Sequence, residues 1–253
     1  MKPPVVELAD VYLKFGDNEI LRGVNLRVED GERLVVLGQS GGGKSTILRL
    51  ILGMLQPTSG SVRVRGHEIP HMSRRRLNLL RQRIGMVYQY SALISSMTVR
   101  DNLALPLEEL TRKKRKEMDE LIVKNLQRVG MEEHLDKLPS ELSGGMRKRV
   151  SLARAMMLEP ELILYDEPSA GLDPIISSVI DELMVAVSEH SGAASIIVTH
   201  ELESAFKVAT RMTMLYEGVI IADGTPDEFR QHPDERVRNF IEGTPPEDLS
   251  FDI

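Results

Sequence analysis

Hydrophobic and polar positions along the chain repeat with two different periods, and the places where the period changes mark out its elements. Between residues 5 and 37, β-branched runs are broken by turn residues. Val5-Val6-Glu7-Leu8-Ala9-Asp10-Val11-Tyr12 precedes Gly16-Asp17-Asn18, and Leu26-Arg27-Val28 precedes Asp30-Gly31. Such runs predict a small antiparallel sheet. It leads into Arg33-Leu34-Val35-Val36-Leu37, whose unbroken apolar character predicts a buried strand. Helix formers follow over residues 46–52. After a turn at Pro57-Thr58-Ser59-Gly60, residues 61–65 alternate as a half-exposed strand ending at Gly66. Ser73 predicts the N-cap of a short helix with Leu77, Leu80 and Ile84 on one side, and residues 85–88 a strand ending at Gln89.

From residue 91 to about 160 the pattern becomes helical. Met118, Leu121, Ile122, Leu126 and Val129 share a helical spacing with Gly130 as the stop. Pro139-Ser140 breaks the chain before a further helix through Val150, Ala153 and Met157 to Pro160. Strand–helix alternation then returns. Leu162-Ile163-Leu164-Tyr165 predicts a buried strand, Asp173-Pro174 a capped helix to about residue 188, and residues 195–199 a strand ending at His200. A hairpin turning at Glu217-Gly218 and two short helices from Thr225-Pro226 and Pro233 complete the pattern. The expected fold is an α/β core over 5–90 and 161–223 with a helical subdomain inserted at 91–160. The whole is one domain over 4–242 with a polar, Pro-rich tail from 243 to 253.

Composition narrows the partners. The chain has 253 residues, enough to bury a full core, and a formal net charge of −6, which argues against nucleic acid as the main partner. It has no cysteine, so a disulfide framework and a thiolate metal site are excluded. Neither a signal-peptide pattern nor an apolar run of the ~20 residues needed to span a bilayer is expected. The basic run Thr111-Arg112-Lys113-Lys114-Arg115-Lys116 and the arginines at 74–76, 81 and 83 read as solvated faces. A sharper reading of the arginines is a surface for anionic head groups or an acidic partner.

Chemistry concentrates at Gly38-Gln39-Ser40-Gly41-Gly42-Gly43-Lys44-Ser45-Thr46, which fits G-x-x-x-x-G-K-[ST] between a strand and a helix. Glycines let backbone N–H groups approach an anion at the positive end of the new helix. Gly38, Ser40, Gly41, Gly42, Gly43 and Thr46 would line the phosphates, Lys44 would reach the β- and γ-phosphates, and the Ser45 hydroxyl would ligate Mg²⁺. Asp166 ends an apolar strand, where a carboxylate can hold Mg²⁺ or its water shell. Glu167 follows, placed to orient or deprotonate an attacking water.

Leu142-Ser143-Gly144-Gly145-Met146 closely resembles the LSGGQ signature of the ABC (ATP-binding cassette) ATPases, and other motifs of that family stand around it in the family's order. Phe15 matches the aromatic that stacks on adenine. Gln89 matches the Q-loop glutamine, a Mg²⁺ contact, residues 169–173 the D-loop, and His200 the switch histidine. The resemblance covers roughly residues 5–240. It implies a head-to-tail homodimer in which each ATP lies between Lys44, Ser45, Asp166 and Glu167 of one copy and Ser143, Gly144 and Gly145 of the other. Met146 departs from the pattern by removing a side-chain amide, but it leaves the phosphate-facing groups untouched.

Residues 89–93, 97–107, 143–149 and 232–240 are similar to the Mla/Mce-type lipid transport ATPases of bacteria. That likeness implies an integral-membrane permease docking near residues 89–107, a lipid-binding Mce subunit and phospholipid cargo. It also implies a place on the cytoplasmic face of the inner membrane, and it leaves a small regulatory subunit open. The alternatives are an ABC ATPase with another cargo, and a soluble ABC ATPase of translation or repair. Only one cassette is here, against the two common in translation factors. Lys44 and Ser143 are 99 residues apart, too few for the coiled coil of repair ATPases.

Overall fold

The computed structural model describes residues 2–244. In chain order its elements are β1 (Val6–Phe15), β2 (Asn18–Val28), β3 (Arg33–Leu37), α1 (Lys44–Ile51), β4 (Ser59–Val64), β5 (His67–Glu68), α2 (Arg74–Arg81) and β6 (Ile84–Val87). Then follow α3 (Val99–Leu110), α4 (Arg115–Arg128), α5 (Gly144–Ala155), β7 (Leu162–Asp166), α6 (Pro174–Ser191), β8 (Ala194–Val198), α7 (Leu202–Val208), β9 (Arg211–Tyr216), β10 (Val219–Gly224), α8 (Pro226–Arg230) and α9 (Glu235–Glu242). The fold class is the α/β P-loop cassette expected, with an antiparallel β portion at the N-terminal side and a run of helices.

The described residues form two compact units: 2–70 with 198–244, and 71–197. In the first, a four-stranded sheet runs in the order β2-β1-β4-β5, with β1 antiparallel to both β2 and β4. Its alternation is visible in burial: Val6, Leu8, Val11 and Leu13 face inward along β1. Beside it β10, β9 and β3 are neighbours, β9 antiparallel to β10 and parallel to β3. Leu34, Val35, Val36 and Leu37 are all fully buried, as a strand covered on both faces must be.

In the second unit β6 and β7 are parallel, with Val87 opposite Tyr165, and β8 lies next to β7. Ser73 caps α2, its Oγ accepting from Arg76 N–H at 3.5 Å. Thr98 and Asp101 form a reciprocal capping box that starts α3. Asp173 caps α6 by accepting from the N–H groups of Ile175 and Ile176.

Four local expectations need correcting. Ile84 opens β6 and is not on the α2 face with Leu77 and Leu80, because α2 stops at Arg81 and two residues turn the chain. Helix α5 stops at Ala155, short of Pro160, and Glu159 takes a left-handed φ of 50° to turn the chain toward β7. Helix α7 was not expected at all. The basic run splits: residues 111–114 link α3 to α4, and only Arg115 and Lys116 are helical. Gly243 ends α9 with φ 69°, and the tail from residue 245 lies outside the described residues.

Candidate active site

The first unit carries the glycine loop, built between the buried end of β3 and α1. Gly38 has φ 150°, and a Cβ there would stand 2.2 Å from the carbonyl oxygen of Leu215, so only glycine fits. Gly43, at φ 95°, lies against Ile20 of β2, 3.2 Å from where its Cβ would be. Helix α1 therefore starts on a left-handed glycine with no side-chain cap and no acidic residue in its first turn. The positive end of its dipole there favours an anion. Lys44 is buried, and its ammonium donates to the carbonyls of Gly38 at 2.7 Å and Gln39 at 2.9 Å, which fixes the start of the loop. Gln39 and Ser40 are exposed, and Ser45 and Thr46 are half-buried just behind them.

Two other expected residues fall on the same unit. Phe15 ends β1 with its ring 53% exposed. The hairpin it closes continues five residues on into Ile20, which packs on Gly43. His200 follows Thr199, whose N–H donates to the Val36 carbonyl at 3.3 Å. That bond holds exposed His200 level with the end of β3, where the glycine loop begins.

The second unit carries the remaining groups. Asp166 ends β7 and Glu167 follows it; both are half-buried, and Glu167 holds a left-handed backbone, φ 49°. For a residue with a Cβ that conformation costs on the order of 1–3 kcal/mol, and surrounding contacts must impose it. Gln89 stands two residues past Val87, as Glu167 stands two past Tyr165, so the parallel register sets the two side by side. Ser143, Gly144 and Gly145 form the tip of α5. Ser143 Oγ accepts from Met146 N–H at 3.3 Å, and no acidic residue occupies the first turn. A Cβ on Gly145 would come 2.4 Å from Ile176 Cγ2 of α6, so this glycine is set by packing.

Sequence reasoning passed over Lys148. It reads as one of several basic residues after the tip, yet it is 6% exposed. Its ammonium donates to the carbonyl of Gln89 and, at 3.2 Å, to that of Glu167. The available hint is that Lys148 and Ser151 lie on a single helix face three residues apart.

Each unit thus presents a helix start stripped of acidic residues, and only the first adds the phosphate-loop lysine. That division is the layout of an ATP-hydrolysing cassette with a P-loop. A family profile described as ABC transporter matches residues 21–170, and the chain belongs to that family. It is 37% identical over 94% of its length to the intermembrane phospholipid transport system ATP-binding protein MlaF of Escherichia coli K12, covering 89% of that protein. It is 38% identical, over 95% of its length and 74% of the relative, to the chloroplastic protein trigalactosyldiacylglycerol 3 of Arabidopsis thaliana. A Mycobacterium leprae relative at 37%, covering 94% of this chain and 69% of that one, is called a probable ribonucleotide transport ATP-binding protein. Among solved structures, the cassette MJ0796 in a dimeric post-hydrolysis state with ADP and Pi superposes with a TM-score of 0.80 at 30% identity. It covers 87% of this chain and 98% of its own. The protein binds ATP and is an ATPase of this family.

Proposed function

We propose that the protein powers a membrane transporter of phospholipid as a homodimer, with each ATP clamped between the glycine loop of one copy and the α5 tip of the other. The observation that carries the cargo is the likeness to MlaF, which extends over nine-tenths of both chains. In the clamp Lys44 and the loop N–H groups hold the β- and γ-phosphates, and Phe15 stacks on the base. Ser143, Gly144 and Gly145 close on the γ-phosphate from the partner copy. Glu167 accepts a proton from the attacking water, and His200 bears on the γ-phosphate. Ser45, Gln89 and Asp166 would hold Mg²⁺, which neutralises developing phosphate charge when bound. Hydroxyl, amide and single carboxylate oxygens suit that hard ion. Among the described residues no cluster of three or more His, Asp or Glu offers an all-protein cage, and a Mg²⁺ shared with phosphates needs none.

Two surface features support the assembly. Ile175 and Val179, one turn apart on α6, are 76% and 38% exposed beside the packed α5 tip, where a partner copy would cover them. The second unit also has a groove of about 330 Å³ floored by Ile84, Met86, Leu105, Pro106, Leu110 and Leu158, suited to an apolar helix of a permease. No helix among the described residues is long and apolar enough to cross a membrane. In this reading the protein sits on the cytoplasmic face of the membrane, held by the permease, with an Mce-type subunit carrying the lipid. The domain is taken as one cassette over 4–242.

The test is to capture the protein with its native membrane partners and identify what co-purifies. The expected result is a polytopic permease with bound phospholipid, and hydrolysis that responds to phospholipid. A complex without lipid whose ATPase is stimulated by ribonucleotides would overturn the cargo, in favour of the mycobacterial relative's designation.

A further inference from the structure

One face of α5 makes a set of contacts that ATP binding does not require. Ser151 Oγ donates to the carbonyl of Ser91 at 2.9 Å. Arg154, half-buried, donates to the carbonyls of Ala92 at 2.8 Å and Ser91 at 3.2 Å. Lys148, three residues before Ser151, donates to the carbonyls of Gln89 and Glu167. Together these side chains hold the backbone of residues 89–92 and of Glu167 to a single helix.

The backbone they hold is strained where they hold it. Ser91, Ala92 and Glu167 have φ of 61°, 48° and 49°, the left-handed region that favours glycine, and none of them is glycine. A buried ammonium gives up water only where other acceptors replace it. Lys148 and the two carbonyls therefore fix one another: the lysine needs the oxygens, and the oxygens are turned toward the lysine. Ala170 N–H donates to the same Glu167 carbonyl at 3.3 Å, a second restraint on that turn. At its N-terminus α5 ends in Ser143, Gly144 and Gly145, and at the other end Arg154 and Ala155 line the apolar groove.

We propose that Lys148 is a positioning residue for hydrolysis, tying the backbone of Glu167 and Gln89 to the helix whose tip engages the partner copy's triphosphate. A shift of α5 on closure would then be passed through one ammonium to the residue that activates water at the copy's own site. This rests on the assignment of Glu167 as that residue.

The experiment compares the full-length protein with Lys148→Met, which keeps the stem and removes the donors, and Lys148→Arg, which restores them. Turnover, KM for MgATP, nucleotide Kd and melting temperature are measured for each. The account expects Lys148→Met to lose kcat by roughly 10- to 100-fold through misplacement of the reacting groups, with Kd within about twofold. Lys148→Arg should recover most of the loss. Wild-type kcat in Lys148→Met, or a loss of affinity matching the loss of kcat, would overturn the proposal. If Lys148→Met does not fold, Lys148→Gln is read by the same criteria. Glu167→Gln run in parallel separates the two claims. If it hydrolyses ATP normally, the assignment of Glu167 fails; if it is dead while Lys148→Met is normal, only the role of Lys148 fails.

Discussion

In the proposed clamp Lys44, Glu167 and Phe15 divide the work at the level of single side chains, and each makes a separate prediction. Lys44→Ala removes the ammonium that braces the loop and faces phosphate, so nucleotide affinity itself should fall by at least tenfold in a binding titration. Unchanged affinity would contradict its role. Glu167→Gln should keep ATP binding while single-turnover assays show hydrolysis reduced by roughly 100-fold or more, the scale of general-base loss. Phe15→Ala should raise Kd about 3- to 10-fold, an aromatic contact's worth, with turnover at saturating ATP within about twofold. Most of this was legible in the sequence because the glycine loop, the Asp-Glu pair and the α5 tip are local strings whose geometry follows from their neighbours. Lys148 was not legible: a lysine inside Met146-Arg147-Lys148-Arg149 reads as solvated until the packing of α5 shows its ammonium among carbonyls.

At the level of elements, the α5–α6 contact is a sensitive joint. Gly145→Ala puts a methyl 2.4 Å from Ile176 Cγ2, inside any real carbon–carbon contact. Overpacking of this kind costs about 1–3 kcal/mol, and the melting temperature should fall by several degrees. Adding Ile176→Ala should recover much of that loss; if the double variant melts no higher than the single one, the clash is not the cause. Element boundaries followed the strength of their local cues. The Glu217-Gly218 hairpin and the Asp173-Pro174 cap are strong, and both stand where the pattern puts them. Helix α7 is seven residues long, starts at Leu202 with no side-chain cap from Glu201 and buries only Ser204, Ala205 and Val208, so periodicity had almost nothing to register. Ile84 was misassigned because two residues of turn preserve a helical spacing across the start of β6.

For the whole molecule, acid stability and assembly give the remaining tests. The Arg65 guanidinium and the Lys2 ammonium hold the Asp30 carboxyl down at about 2, against 3.8 ordinarily. Because the folded value is depressed, this tie stabilises the fold above about pH 4 and its contribution is lost as pH falls through 2. Asp30 is 44% exposed, so solvent screening keeps the effect under about 1 kcal/mol. Asp30→Asn should lower the melting temperature slightly at pH 6, and by less as pH falls toward 2. The central claim is that ATP joins two copies through the glycine loop and the α5 tip, and the mass of Glu167→Gln in solution tests it most directly. Light scattering should show a monomer without nucleotide, twice that mass with saturating MgATP, and a monomer again when Ser143→Glu is added. A Glu167→Gln protein that binds ATP yet stays monomeric, or a dimer indifferent to Ser143→Glu, would contradict the account.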